Sequence, residues 1–268
     1  MTFTALDANI PLTSRIDCLK SKGIVAVGRY YTKNKSNPKL LSTAEAKALT
    51  EGGIRIWAVY QDRQNRIVDF TRDKGLAAGA TALAYARDVI KQPPGSAIYF
   101  SVDFDASRSQ YQGGIRLFFQ GIAEAFSNGS SPYKVGVYAS GMVCQSLLDE
   151  GLTTYTWLTM STGFTGTLEF TRSRRWNLLQ LQEVKDYCGL MSCDPDTINP
   201  DKPDFGAFLL PAATPAVTVA RRMAPLVSPN VLPAVAPVAT ADVAGTASDA
   251  AHIARLVAIA SDPNQLGE

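Results

Sequence analysis

Short β-rich runs alternate with helix-sized segments through the first 208 residues, and this alternation constrains the fold more than any other feature. The runs are Phe3–Ala8, Val25–Tyr31, Ile54–Tyr60, Ala97–Val102, Lys134–Tyr138, Tyr155–Met160 and Trp176–Gln182. Between them lie helical patterns over 42–49, 73–90, 113–126 and 143–148. Ser42 and Glu45 have the spacing of a capping box, and Gly52-Gly53 stops that helix. Pro93-Pro94 stops the Ala-rich segment before it. Strands separated by helices are βα units around a parallel sheet. No G-x-G-x-x-G or G-K-[ST] loop follows any strand, which disfavours a nucleotide-binding doubly wound sheet. A (β/α) barrel of about eight units needs roughly 200–250 residues. The expected fold class is therefore α/β, a TIM-like (β/α) barrel, with room for irregularity.

The chain changes character after Phe208. All 11 Phe, 10 Tyr and 3 Trp lie at or before that position. Pro211, Pro215, Pro225, Pro229, Pro233 and Pro237 then interrupt a stretch of Ala, Val and Thr. Proline at this density forbids a continuous helix and removes sheet donors. Ile253, Leu256, Val257 and Ala260 recur at helical spacing, with Ser248 as a cap and Asp262-Pro263 as a stop. The expected organisation is a barrel over 1–208, an arm over 209–246 and an amphipathic helix over 247–262. A helix so short is marginal alone, so residues 211–268 are expected to dock on the barrel, a second copy or another protein.

Charge and leader signals narrow the function class. Lys+Arg 26 against Asp+Glu 24 leaves a net charge of +2, which argues against nucleic acid or a polybasic membrane contact. No apolar run reaches the roughly 18 residues of a membrane span. The opening Met1–Asp7 lacks the basic and apolar regions of an ordinary signal peptide. The only histidine, His252, is far from the strand ends, and the four cysteines show no metal-ligand spacing, so no cofactor or metal is expected. Cys188 and Cys193 are close enough in sequence to form a disulfide in an oxidising compartment, Cys18 is isolated, and Cys144 reads as core.

In a barrel, chemistry collects where strands end. Those ends carry Asp7, Arg29-Tyr30, Tyr60-Gln61, Asp103 and Asp105, Tyr138, Gln180 and Gln182. Acids, amides and aromatics with few bases suit a sugar: carboxylates for proton transfer, amides for hydroxyls, rings for the pyranose face. Asp103 and Asp105 are two apart, so on an extended strand they face one side. Paired carboxylates in one cleft repel, which raises one pKa and leaves a proton donor beside a base.

The ordered set Leu6-Asp7-Ala8-Asn9, Gly28-Arg29-Tyr30-Tyr31, Val59-Tyr60-Gln61, Ile98–Asp105, Gly136-Val137-Tyr138, Trp157-Leu158 and Cys188-Gly189-Leu190 through Asp194-Pro195 resembles the bacterial glycoside-hydrolase-like domain related to family 25 glycoside hydrolases. Those hydrolases are lysozymes that cut peptidoglycan. The resemblance spans about residues 4–208. It implies a TIM-like barrel with Asp7 matching the acid of the first strand, Asp103 the first acid of a D-x-E pair, and Asp194 an acid after the last strand. Asp105 stands where the lysozymes have a catalytic Glu, one methylene longer. The resemblance thus implies catalysis by Asp103, Asp105 and Asp7. Arg29, Tyr30, Tyr60, Gln61, Tyr138, Gln180, Gln182 and Asp194 would hold a peptidoglycan-like glycan. A glycan-binding module with weakened catalysis, or a phage or secretion-system component, are the other classes it leaves open. The implied site of action is the bacterial cell envelope, reached from the cytoplasm by phage lysis or specialised secretion.

Overall fold

The structure, a computed structural model, describes residues 3–212. The expected helix over 247–262 and all but the first residues of the arm lie outside the described residues.

The strands are β1 (Ala5–Asp7), β2 (Ala26–Tyr31), β3 (Arg55–Tyr60), β4 (Ala97–Ser101), β5 (Lys134–Ala139), β6 (Tyr155–Leu158), β7 (Leu178–Gln180), β8 (Val184–Tyr187) and β9 (Leu190–Ile198). The helices are α1 (Ile16–Ser21), α2 (Thr43–Glu51), α3 (Arg72–Ala84), the single turn α4 (Arg108–Gln110), α5 (Arg116–Asn128), α6 (Gly141–Asp149) and α7 (Thr167–Ser173). Strands β1 to β7 pair in chain order, all parallel. Strand β9 then inserts antiparallel between β7 and β1 and closes an eight-stranded barrel. Strand β8 pairs only with β9, as a hairpin outside the closed ring. The fold is therefore a TIM-like α/β barrel whose last position is filled by a reversed strand.

Alternation along each strand sorts its side chains into two layers. On β2, Val27 and Tyr31 pack outward with the helices, whereas Ala26 and Tyr30 face the barrel interior. The interior is unusually aromatic: Trp57, Tyr99, Tyr155, Trp157 and Phe205 share it with Ala5, Ala26, Val59, Ala97 and Leu178. Trp57 meets Trp157 edge-on at 5.6 Å and Phe205 at 5.9 Å. Gly28 makes room for this layer, since a Cβ there would lie 2.6 Å from the Trp57 ring and 2.7 Å from Cβ of Asp7. Phe205 and Phe208 close the end where the strands begin; Phe208 bridges to Ile56 and Gly206 accepts from the Ala97 amide.

The capping box expected at α2 forms only in part. Ser42 accepts from the Glu45 amide at 3.1 Å, but the Glu45 carboxylate turns away from the cap. It pairs instead with Arg29 at 2.8 Å and accepts from the Leu12 amide at 2.9 Å. The disulfide also differs from expectation. Cys18 on α1 bonds to Cys188 in the β8–β9 turn, with Cα atoms 5.7 Å apart, and Cys193 and Cys144 are buried free thiols. Pairings of distant cysteines are set by the folded geometry and not by sequence spacing.

Candidate functional site

A cavity of about 230 Å³ opens at the mouth where the strands end. Six of the expected residues line it: Tyr30, Gln61, Asp103, Tyr138, Gln180 and Asp194, joined by Ser101, Trp157 and Thr159 among others. The volume is below the roughly 300–1,000 Å³ of a drug-sized site, so it suits one ring-sized unit of a ligand.

Asp7 lies directly behind this wall. It is 2% exposed. One carboxylate oxygen accepts from the Tyr30 hydroxyl at 2.7 Å and the other from Gln180 Nε2 at 3.0 Å. Both donors line the cavity, so Asp7 reaches it through them. Burial and the neighbouring Asp194 push its pKa up to about 7, against the pull of Tyr30, Gln180 and Arg29.

Asp103 stands at the open rim. Gln61 Nε2 donates to it at 3.1 Å and to Ser101 Oγ at 3.3 Å, while Lys39 Nζ donates to Gln61 Oε1 at 3.1 Å. Lys39 also lies 4.7 Å from the centre of the Tyr30 ring. Partial desolvation raises the Asp103 pKa; the Gln61 hydrogen bond and the Lys39 charge oppose it. Asp194 is half-buried and opposite Asp7 in the β1–β9 register. Burial raises its pKa, and Glu183 and Asp103 add to the rise. Among the described residues no side-chain donor reaches its carboxyl group.

Tyr138 Oη donates to Gln180 Oε1 at 2.8 Å, and its ring meets Trp157 at 4.7 Å. Gln180 therefore accepts from Tyr138 and donates to Asp7, which locks its amide orientation. Trp157 Nε1 donates to Asp196 at 2.6 Å. Asp196 is fully buried, and sequence reasoning missed it. Its signal was present in Asp194-Pro195-Asp196, a second D-x-D, but only the reversed strand β9 turns both acids inward.

Four expected site residues lie elsewhere. Asp105 does not join Asp103, because β4 ends at Ser101 and strand alternation no longer applies beyond it. Its carboxylate accepts from the Thr165 amide at 2.7 Å and ties the loop after β4 to the loop before α7. Arg29 is fully buried on the outer face of β2, bonded to Glu45 and to the Ala8 carbonyl. Tyr60 also points outward and donates to Asp62. It borders a separate polar cavity with Thr32, Lys33 and Lys74. Gln182 lies past the end of β7 and borders a shallow depression with Leu168 and Thr171. Among the described residues no group of three or more His, Cys, Asp or Glu is arranged to hold a metal ion.

A closed barrel with an acidic, aromatic-walled cavity at the strand ends places this protein in the glycoside hydrolase-like class. The sequence model of the Rv2525c-like, glycoside hydrolase-like domain matches residues 17–188, and the chain belongs to that family. Uncharacterized protein YbfG of Bacillus subtilis is 32% identical over 194 residues, covering 68% of this chain and 26% of YbfG. Uncharacterized protein FadG of the same organism is 30% identical over 186 residues, covering 67% of this chain and 32% of FadG. The chain thus spans about a quarter to a third of these relatives. The Tat-secreted protein Rv2525c of Mycobacterium tuberculosis, crystallised with L-tartrate, shares the fold at a TM-score of 0.61 and 21% identity, covering 77% of this chain and 99% of that one. The catalytic domain of endolysin ply40 from bacteriophage P40 of Listeria monocytogenes shares it at 0.51 and 15% identity, covering 76% and 96%.

Proposed function

We propose that this barrel is a muramidase-like glycosidase acting on peptidoglycan or a closely related glycan. One observation carries the reading: three carboxyls with raised pKa values, Asp7, Asp103 and Asp194, gather around one ring-sized cavity walled by amides and aromatic rings. Glycosidic cleavage needs a carboxylic acid to protonate the leaving oxygen and a carboxylate to stabilise the sugar cation or activate water. The two roles divide by environment. Burial and acidic neighbours raise the pKa of Asp194 and no donor opposes them, which favours its protonated form and suits it to serve as the acid. Asp103 has the Gln61 amide and the Lys39 charge, which oppose the rise and favour its ionised form, so it suits the role of base or stabiliser. Asp7 is a positioning residue that orients Tyr30 and Gln180. Tyr138, part-exposed at the mouth, supplies a ring face for the sugar, with the buried Trp157 packed behind it.

The disulfide supports an oxidising place of action, in keeping with the cell envelope. The M. tuberculosis relative is itself Tat-secreted.

A second reading, a glycan-binding barrel without turnover, is favoured by one observation: Asp105 is held by the Thr165 amide away from the cavity. Muropeptide release from purified peptidoglycan separates the two. The wild type should release fragments, and Asp103→Asn and Asp194→Asn should each reduce the rate at least about 100-fold. Asp105→Asn should retain most activity. No release by the wild type, with glycan still retained in pull-down, favours the binding module.

A further inference from the structure

A second cavity, of about 600 Å³, lies beside the mouth and takes no part in the chemistry assigned above. It opens between the loop after β2, the loop after β3 and helix α3. The end of β3 divides it from the mouth: Gln61 lines the mouth, whereas its chain neighbours Tyr60 and Asp62 line the second cavity. Hydrogen bonds fix its floor. The Asp62 carboxylate accepts from the Thr32 and Tyr60 hydroxyls and from the Lys33 amide, so three donors meet its charge. Gln64 is 8% exposed and sits in the left-handed region, with φ 47°. Its Oε1 accepts from the amides of Asp62 at 2.8 Å and Arg63 at 3.1 Å, which sets the orientation of the side-chain amide. Its backbone carbonyl accepts from the Asp103 amide at 2.8 Å, so this loop also holds the rim acid of the mouth.

Two polar groups of this wall lack partners, which buried polar groups ordinarily have. Gln64 Nε2, on a side chain more than nine-tenths buried, has no acceptor among the described residues. Asp69 Oδ2 is buried and has no hydrogen-bond partner. Three cations border the same space. Lys33 Nζ stands 4.0 Å from Asp62, whose charge is already met, Lys74 Nζ donates to the Val68 carbonyl, and Arg63 is exposed with no ion pair among the described residues. Ala77 and Ala78 of α3 add a small apolar face. A matching ligand carries carboxylates for the cations, a carbonyl for Gln64, an N–H or ammonium for Asp69, and methyl-sized apolar groups for the alanines. A neutral sugar brings none of the charges. A phosphate brings neither the donor nor the apolar group.

We propose that the second cavity binds the acidic stem peptide of peptidoglycan while a sugar ring of the same strand occupies the mouth. Alanine methyls, free carboxylates and an amine on that peptide answer the wall group by group. The choice of a stem peptide among acidic peptides rests on the glycosidase reading; the peptide chemistry of the cavity does not. The stem hangs from the muramic ring on a lactyl ether. Between a ring in the mouth and the second cavity stands the Gln61 side chain, held by Lys39 at 3.1 Å.

Titration of the ¹⁵N-labelled full chain with the free tripeptide L-alanyl-γ-D-glutamyl-meso-diaminopimelate tests the proposal without any glycan. Backbone amide resonances over 32–37, 62–69 and 74–81 should shift, and those of Tyr138, Thr159 and Gln180 at the mouth should stay in place. Added salt should weaken the wild-type interaction, because it depends on exposed charges. Lys33→Gln combined with Arg63→Gln alters only exposed side chains, so the fold is kept, and it should weaken binding at least about fivefold. Chitotetraose, a sugar chain without a stem, should leave the second cavity undisturbed. Tripeptide shifts confined to the mouth, no shift at millimolar tripeptide, unchanged affinity in the double variant, or chitotetraose bound in the second cavity each overturns the proposal. Muropeptide release separates it from the hydrolase reading. Tripeptide bound at the second cavity without release removes the hydrolase and keeps this site. Release at equal KM from stem-bearing and stem-stripped glycan, with no tripeptide shift, keeps the hydrolase and removes this site.

Discussion

Asp7 couples the chemistry of the mouth to the stability of the barrel. Its pKa is about 7 in the folded protein against an ordinary 3.8. Between those values the folded chain holds a proton that the unfolded chain releases. Folding thus takes up a proton, and the stability linked to Asp7 is fully present below about pH 4 and lost as pH rises through 7, at about 1.4 kcal/mol per pH unit for one group. Asp103, Asp194 and Asp196 shift in the same direction and deepen the slope. Urea unfolding at pH 5, 6, 7 and 8 should show the midpoint falling with pH, and Asp7→Asn should flatten that fall. A midpoint independent of pH in the wild type removes the raised carboxyls from the account. These shifts were only partly legible in the sequence. The strand-end positions of Asp7, Asp103 and Asp194 told which acids to watch. Their protonation depends on burial and on β9 passing beside β1, which no local spacing encodes.

At the scale of elements, strands β1 to β7 are legible because each begins and ends within a residue or two of an apolar run. Which side of a strand faces the cavity is harder to read. Barrel strands are covered on both faces, so Arg29-Tyr30 and Tyr60-Gln61 offer no polar/apolar contrast to mark the inward member. Tyr30 and Gln61 turned out to face in; Arg29 and Tyr60 face the helices. Strand β9 escaped detection because Asp194, Pro195, Asp196 and Thr197 lack an apolar pattern, and a closing antiparallel strand breaks the βα rhythm. The outward Arg29 has a clear structural duty. With Glu45 it pins α2 to β2 in a fully buried ion pair that also secures the Leu12 amide. Removing one partner strands the other charge, so Glu45→Ala should cost about 3–5 kcal/mol in urea unfolding. A cost below about 1 kcal/mol contradicts the pairing. Helices α3 and α5 meet through glycines: a Cβ on Gly121 would lie 2.1 Å from the Arg72 carbonyl oxygen, and one on Gly75 would lie 1.9 Å from that of Phe118. Gly121→Ala should therefore destabilise the protein, although alanine favours a helix, because the backbones cannot part without opening the outer layer. Equal or greater stability in the alanine variant would mean that the helices separate freely.

Over the whole molecule, closure depends on the last strand finding the first. Strands β1 to β7 assemble from sequential βα units, but β9 must return across nearly the entire described chain to pair with β1. Both strands carry the acids of the mouth, so their mutual repulsion works against the closure that brings them together. The Cys18–Cys188 disulfide acts at this seam. It joins α1, which follows β1, to the turn that leads into β9, across a sequence separation of 170. In the chain-entropy view, a loop of that length removes about 5 kcal/mol of freedom from the unfolded chain, comparable to the lower end of a domain's total stability. A reductant, or Cys18→Ser, should therefore lower the melting temperature markedly and loosen the mouth of the barrel, because Asp194 and Asp196 ride on the strand that the disulfide tethers. Cys144→Ser provides the contrast: its buried thiol lies on α6 away from the seam, so its effect should be a local packing loss that reductant does not change. Calorimetry of both variants with and without reductant decides the point. If reduced and oxidised protein melt together, the seam is held by strand pairing alone, and the disulfide adds no hold on the acids that β9 carries.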